Sequence, residues 1–508
     1  MTPIRPHNYI QSYEAGIEAL KARPHDRDLQ HQVVLALARA GALDFAMSEY
    51  NRYGLATVDD HEDIMALNGR LSKDLYLCSS GPKAAGHARD AAQKYEVAFQ
   101  KTLGYYSGIN SATMALMADM PAERISARIE AIQALLKSNR EVTPTDRYFL
   151  EATRAEVFLL KGERSKAIAA LHGAIDYDPL NYAAHSSTLK QFMMIVSKRG
   201  GSIDWLSDFR PPRPLHFAGH IRLDQNVEEQ EALKTSIVDA LQQEDVGFGF
   251  GALAAGGDIL FAEALLEQGA ELHIVLPCAK DAFMRESVIP FGQDWGDRFE
   301  DCLAHASSIR ILTQGVTWPD TNLNRLSGLS AMGHAKLQGG LLSAAPLQML
   351  ILNDAKGVSL TATHAQDWAV TGYPQFKLIG GTYRTLNLPA GSKPSDLPCW
   401  IKYSNQEKAM RCPSVVSAVM TAMKRRERVQ AALHIELGTE NVEFVLDQIL
   451  SAGAPHSLLA SEAFASVFAA LVNDQFKINY VGQAGNDPVS HVRCYSIQTT
   501  RALLNVLP

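Results

Sequence analysis

Apolar residues recur every three to four positions along the first two hundred residues, and this spacing predicts helix after helix. Residues 29–53 are the clearest case. Their periodic apolar positions break at Gly41, which predicts two helices joined by a tight turn. Ala36, Ala38 and Ala46 are small enough to let the two helices pack closely. A second pair is predicted over 148–175, turning at Lys161-Gly162-Glu163 and ending at Asp178-Pro179, since proline commonly follows a helix end. Another helix, 182–196, follows at repeat spacing. Between these pairs the pattern is irregular, so the region is repeat-like without being a uniform array.

The pattern changes after Arg199. Residues 199–220 carry three prolines and several glycines and read as a linker. Short apolar runs then alternate with amphipathic stretches. Strands are predicted near 215–221, 246–250, 272–276, 309–312 and 347–352. Helices are predicted over 228–243, 258–268, 295–307 and 326–343. Such alternation implies a doubly wound parallel sheet. A second turn-rich stretch, 385–398, precedes helices at 415–426, 444–451 and 461–473 and strand-like pieces at 431–437 and 491–497. The fold class is therefore multidomain α plus α/β. A helical repeat region occupies 1–200, a parallel-sheet domain 212–385 and a small α+β domain 398–500.

Composition narrows the classes. The chain has 508 residues, too many for one ordinary core, and its 46% hydrophobic and 20% charged content is that of a globular protein. A net charge of -7 offers no global footprint for nucleic acid or an anionic membrane. No apolar run reaches the ~20 residues of a membrane span, and residues 1–23 lack the apolar core of a secretory signal. The six cysteines form no CxxC pair and read as reduced thiols of a cytoplasmic protein. No metal-type spacing of Cys and His occurs, so no metal site is expected.

Candidate chemistry concentrates in 246–277, VGFGFGALAAGGDILFAEALLEQGAELHIVLP, which reads strand, glycine-rich turn, helix, strand. Gly249, Gly251, Gly256 and Gly257 would let the main chain bend and approach a ligand. A helix beginning near Asp258 would point free N–H groups at the turn. The spacing is neither GxGxxG nor a P-loop. Asp258 would repel a phosphate, so it either caps the helix or bonds a ribose hydroxyl. Glu263 and Asp258 are the candidate acid–base residues. Residues 283–299 supply Arg285, Ser287 and Arg298 as a second wall, where an arginine could grip phosphate. Against this stands a plainer reading. The glycines fit a tight turn, Trp295 and Phe299 anchor the core, and the charges face water. His216 and His220 flank the first predicted strand.

Three stretches resemble known families. Leu67-Asn68-Gly69-Arg70 with Lys73-Asp74, and the run Tyr105-Tyr106-Ser107-Gly108-Ile109-Asn110-Ser111-Ala112-Thr113, resemble the TRAF-binding domain of the apoptosis signal-regulating kinases, a tetratricopeptide-type scaffold also found in bacterial proteins. That resemblance implies interaction with a protein partner. Ala218-Gly219-His220, residues 256–263 and residues 283–299 resemble the Rossmann-like domain that follows it in those bacterial proteins. The Gly-Asp…Glu helix is also similar to the SLOG superfamily, which implies a nucleotide-type ligand at Gly219, His220 and the 256–263 turn. Residues 398–498 resemble a shortened class III nucleotide cyclase on Ala431-Ala432-Leu433-His434-Ile435, Ser461-Glu462-Ala463-Phe464 and Tyr480-Val481-Gly482. Class III domains work as dimers, which implies a homodimer. The cyclase's metal aspartate and its later Gly-Asp turn have no counterpart, and Phe444 to Ser451 lacks the transition-state asparagine and arginine, so cyclase activity ranks last. The leading reading is a signalling or regulatory protein that binds a protein partner and senses a nucleotide-type ligand. The alternative is an enzyme acting on a nucleotide or NAD-like substrate.

Overall fold

The computed structural model describes residues 9–137, 144–219, 227–314, 321–352, 359–379, 382–386, 388, 397, 399–425, 429–437, 441–452, 457–484 and 492–499. The chain divides into two compact units, 1–211 and 212–508.

The first unit is helical: α1 Tyr9–Ala22, α2 Arg27–Arg39, α3 Leu43–Arg52, α4 Glu62–Cys78, α5 Gly81–Thr102, α6 Tyr105–Met117, α7 Ala122–Leu136, α8 Pro144–Leu160, α9 Arg164–Tyr177 and α10 Tyr182–Lys198. The two helix pairs expected from spacing are α2/α3 and α8/α9, and they close by the same device. Gly41 and Gly162 take left-handed φ values of 89° and 81°. The next amide reaches back to the preceding helix, Ala42 N to Leu37 O at 2.9 Å and Glu163 N to Phe158 O at 2.8 Å. These are Schellman-type ends, which glycine adopts without a Cβ penalty. Close packing elsewhere also depends on glycine. A Cβ on Gly69 would lie 2.7 Å from the Tyr95 ring, and one on Gly108 would lie 2.8 Å from Phe99.

The second unit holds two sheets. The first comprises β1 Arg213–Gly219, β2 Val246–Gly251, β3 Glu271–Leu276, β4 Ser308–Ile311, β5 Leu347–Ile351, β6 Gln375–Ile379 and β7 Thr382–Thr385, in the order β4-β3-β2-β1-β5-β6-β7. All pairings are parallel except β6–β7. Its helices are α11 Val227–Gln243, α12 Gly257–Glu267, α13 Lys280–Ser287, α14 Gln293–His305, α15 Thr321–Leu342 and α16 Leu360–Ala369. α11, α12 and α14 pack together on one face, and α15 and α16 on the other. The strand order turns back at β1. The chain first travels outward through β2, β3 and β4, then returns to pair β5 with β1.

α16, β6 and β7 have no counterpart in the sequence-based expectation. α16 buries Thr361, His364 and Asp367 beside Ala365 and Trp368, so its inward face is too polar to register as an apolar stripe. Gly249 and Gly251 do not form the turn expected of them. Both lie inside β2, outside the turn, where a Cβ on Gly249 would strike Leu265 of α12 and one on Gly251 would lie 2.5 Å from Phe217. Gly249 thus lets α12 approach the sheet, and Gly251 leaves room for the Phe217 ring.

The second sheet is built from β8 Cys399–Tyr403, β9 Met410–Cys412, β10 Ala431–Ile435, β11 Leu458–Ser461, β12 Phe476–Ala484 and β13 Val492–Thr499, with α17 Val415–Arg425, α18 Val442–Ser451 and α19 Glu462–Ala470. Its order is β12-β13-β11-β10-β8-β9, and among the described residues only β10–β11 is parallel. The two sheets are locked together through α15 and α19. A Cβ on Gly333 would strike the Ser466 carbonyl, so the helix backbones touch there. Ser330 and Ser466 hydroxyls lie 3.2 Å apart, and Lys336 donates to Val472 O at 2.6 Å. Glu462, at the start of α19, pairs with Arg310 of β4 at 3.3 Å and Arg493 of β13 at 3.2 Å. Burial opposes its ionisation, but Arg310, Arg493 and His334 outweigh that and hold Glu462 at about 2. Burial, reinforced by Arg310, brings His334 down to about 3.

Two measurements probe this junction. Gly333→Leu forces α15 and α19 apart and should lower the stability of the second unit by about 1–3 kcal/mol, read as an earlier thermal transition. Glu462 has a folded pKa below its unfolded value, so its contribution is present above pH ~4.5 and is lost as pH falls toward ~2, a loss of order 3 kcal/mol. Glu462→Gln should flatten the acid limb of a urea-denaturation series over that window.

Candidate functional site

A crevice of about 280 Å³ opens where the strand order turns back, outside the carboxyl ends of β1, β2 and β3. Ligands of open α/β sheets bind at such reversals because flanking helices lie on opposite faces and leave a gap between them. One side of the gap is lined by Gly219, Ala254 and Asp258 at the β1 end and the start of α12, with Phe283 and Ser287 of α13. The other is lined by Asn324, Ser327 and Gly328 of α15 and Ser359, Thr361 and His364 around α16.

The first side is assembled by one close approach. A Cβ on Gly219 would lie 2.5 Å from Gly257 Cα, and one on Gly257 would lie 2.7 Å from Gly219 Cα. Only two glycines permit this contact. Asp258 then ties the chain segments together. Its Oδ1 accepts the Gly219 N–H at 2.7 Å and its Oδ2 accepts the Ala254 N–H at 3.1 Å. The Asp258 side chain therefore does not cap α12, whose N-cap is Gly256 at φ 96°. It occupies the electropositive helix start with its own carboxylate, where the free N–H groups favour negative charge. Burial pushes its pKa up to about 6, and the two backbone N–H bonds only partly offset this. The Ala255 N–H donates to the Ser287 carbonyl at 3.0 Å, which fastens α13 to the same turn.

The second side carries buried polar groups. His216 Nδ1 accepts from Gln348 Nε2 at 3.0 Å, leaving Nε2 as the protonated nitrogen of a neutral ring. That ring stacks on Trp368 with centroids 6.2 Å apart. Gln375 Nε2 donates to Gln348 Oε1 at 2.8 Å and to Ala365 O at 2.7 Å. His364 is 6% exposed, and among the described residues neither ring nitrogen has a hydrogen-bond partner. Burial, with Arg325 adding to it, brings its pKa down to about 4, so the ring is neutral. Its place exists because residue 328 is glycine, since a Cβ there would collide with the ring.

The expected site residues divide accordingly. Gly219, Asp258 and Ser287 come together in the crevice. Gly256 and Gly257 shape the turn behind it. Gly249 and Gly251 are packing residues of β2. Glu263 and Arg298 do not line the crevice. Arg298 Nε and Nη2 donate to the two Glu263 oxygens at 2.6 and 2.8 Å, with the guanidinium 4.1 Å over the Trp295 ring and Lys234 3.6 Å from Glu263. The expected roles of Glu263 as acid, base or ribose holder and of Arg298 as phosphate grip thus have no place there. Arg285 is exposed beside Glu286. His220 lies outside the described residues. His364, Asn324 and Thr361 carry no signal in the sequence, because they sit on the far side of the sheet from the glycine-rich turn and no spacing links them to it. All six cysteines are unpaired, four of them buried. Among the described residues no group of three His, Cys, Asp or Glu could hold a metal, and no helix is long and apolar enough to cross a membrane.

Comparison with known proteins bears on the helical unit. Residues 9–115 match the family model described as Tetratricopeptide Repeats-Sensor, so the N-terminal helices are tetratricopeptide-type repeats. No curated protein matches the chain. Matching solved structures include a mutant of the Thermobaculum terrenum O-GlcNAc transferase, at 10% identity over 59% of this chain and 56% of that one, with a TM-score of 0.19. The alignment thus spans little more than half of that protein, and so loose a superposition carries no argument.

The raised pKa of Asp258 has a testable sign. Its folded value of about 6 lies above its ordinary value of 3.8. Stability from this group therefore falls as pH rises from ~4 to ~6 and is flat above, a change of order 3 kcal/mol. Asp258→Asn should remove that step from a urea-denaturation series over pH 4–6.5. An unchanged series would place the proton elsewhere.

Proposed function

We propose that the chain is a signalling or regulatory protein whose tetratricopeptide-type repeats bind a protein partner and whose Rossmann-like domain senses a nucleotide-type ligand. The observation that carries the second half is the crevice at the strand-order reversal, with a carboxylate fixed at the start of α12. Each Asp258 oxygen accepts one backbone N–H and keeps a lone pair for a further donor, which suits a ribose hydroxyl. A phosphate would meet repulsion from Asp258 and is better accommodated toward the start of α16, where Ser359 caps the helix. The neutral His216 and His364 rings add polar atoms without charge, as a base-recognising wall would.

The same carboxylate supports a second reading, an enzyme acting on a nucleotide or NAD-like substrate. A carboxyl group with a pKa near 6 can exchange a proton at neutral pH. Cyclase chemistry in the C-terminal sheet is not part of either reading.

A thermal-shift panel tests the proposal. ATP, GTP, NAD, ADP-ribose, and cyclic mono- and dinucleotides are added with and without Mg²⁺. A ligand at 100 times its Kd should stabilise the second unit by about 2.7 kcal/mol. Asn324→Ala, which leaves the Asp258 staple intact, should weaken that ligand at least tenfold, and Gly257→Val should abolish the shift. Chromatography of the ligand after incubation separates the two readings: unchanged ligand supports a sensor and a product supports an enzyme. No shift with any compound would remove the sensing role.

A further inference from the structure

The hairpin of β8 and β9 sets two cysteines directly against each other. Cys399 faces Cys412 across the ladder, as Trp400 faces Arg411 and Ile401 faces Met410. Residues opposite one another on antiparallel strands send their side chains to the same face of the sheet. Their Cα atoms stand about 4.5 or 5.5 Å apart, according to the hydrogen-bonding pattern, and both spacings fall within the ~4.4–6.8 Å that a disulfide spans. The Cys399 thiol is turned toward β9, since it donates to the Cys412 carbonyl at 3.5 Å. Both cysteines are free thiols. Cys494 of β13 belongs to the same sheet but is three strands from Cys399, roughly 14 Å at the usual strand spacing.

Access and position define what the pair can do. Cys399 is fully buried, whereas Cys412 is half-buried on the edge strand. An oxidant arriving from solvent therefore meets Cys412 first, and Cys399 stands behind it as the resolving thiol. β9 is held to β8 through three residue pairs, and α17 begins three residues beyond Cys412. A short edge strand opens more readily than the centre of a sheet. β8 itself is fixed on its other side by β10. A covalent bond between Cys399 and Cys412 would thus anchor the loose edge to the paired interior.

We propose that Cys399 and Cys412 are a reversible oxidation site, at which a hydroperoxide joins the two thiols into a cross-strand disulfide that fastens β9 and the entry to α17 onto β8. The Cys412 thiolate attacks a peroxide oxygen. The O–O bond breaks, an alkoxide or hydroxide leaves, and Cys412 becomes a sulfenic acid. The Cys399 sulfur then attacks the Cys412 sulfur and displaces hydroxide, which leaves as water with the Cys399 proton. Two thiols and one hydroperoxide give one disulfide, one alcohol (water, where the oxidant is hydrogen peroxide) and one water. A dithiol reverses the step by exchange. Burial raises the pKa of Cys412, and burial with Cys412 beside it pushes Cys399 up to about 12. Thiolate is scarce near neutral pH as a result, so the reaction is slow there and quickens as pH rises. None of the crevice residues takes part.

The test treats the full chain with hydrogen peroxide and digests it with trypsin without reduction. The peptide carrying Cys399 should be recovered joined to the peptide carrying Cys412, and dithiothreitol should separate them. The initial rate of linkage should rise about tenfold from pH ~7 to ~8. Cys399→Ser and Cys412→Ser should each abolish the link. Cys78→Ser, which removes an exposed cysteine of the first unit, should leave it intact. Amide hydrogen exchange over Met410–Cys412 should slow at least tenfold when the wild type is oxidised, and should not slow in Cys412→Ser. A Cys412 sulfinic acid beside a reduced Cys399 overturns the proposal, as does a link between the Cys412 residues of two chains. A link formed with unaltered exchange overturns the fastening of β9.

Discussion

The end of β1 and the start of α12 meet at Gly219 and Gly257, where each missing Cβ is replaced by the other's backbone. Much of the second unit's functional geometry follows from this contact. It draws α12 onto the sheet, positions the Gly256 turn, and lets the Asp258 carboxylate reach the amides of both Gly219 and Ala254. Because the contact is between main chains, no side chain can substitute for it without opening the crevice. The cost is a desolvated carboxyl group, visible in its raised pKa. A buried ionisable group retained with only two backbone partners is the kind of local expense that proteins keep where a site is assembled.

Polar groups organise the other face in a different manner. His216, Gln348 and Gln375 form a chain of buried hydrogen bonds behind the crevice, so β1, β5, β6 and α16 are held by directional contacts as well as by apolar packing. A satisfied network of this kind fixes side-chain positions more tightly than aliphatic packing alone. His364 stands apart, buried with no partner for its ring nitrogens among the described residues and seated in the space that Gly328 leaves. The α15–α19 junction extends this rigidity into the second sheet. Backbone contact at Gly333 and the ion pairs of Glu462 join the two sheets. α15 thus touches both the crevice and the C-terminal sheet.

In the helical unit, the residues Arg70, Lys73, Asp74, Tyr106 and Asn110 stand out in the sequence only as parts of two motifs. Folded, the motifs lie on adjoining helices α4 and α6 and share one polar cluster with Arg39, Glu156, Lys190 and Gln191, drawn from three further helices. Their pairing with groups more than a hundred residues away, as between Lys73 and Gln191, explains why neither motif by itself indicates a role.

Local pattern alone determined the helix pairs closed at Gly41 and Gly162, the alternation of strand and helix from β2 to β5, and the turn before Asp258. Each depends on residues within a few positions of one another: an apolar period, a glycine able to take positive φ, a strand run ended by turn formers. Asp258 was singled out by the glycine-rich turn before it, Gly219 by a family resemblance and Ser287 by the polar stretch 283–299, and the structure brings the three together in one crevice. The polar face of α16 concealed that helix, and with it Thr361 and His364. Glu263 and Arg298 looked available in sequence because nothing local shows that they neutralise each other. Gly249 and Gly251 looked like turn residues because a glycine's role depends on what packs against its absent side chain. Only the tertiary structure decided these, since pairing, burial and close approach are set by residues distant in the chain.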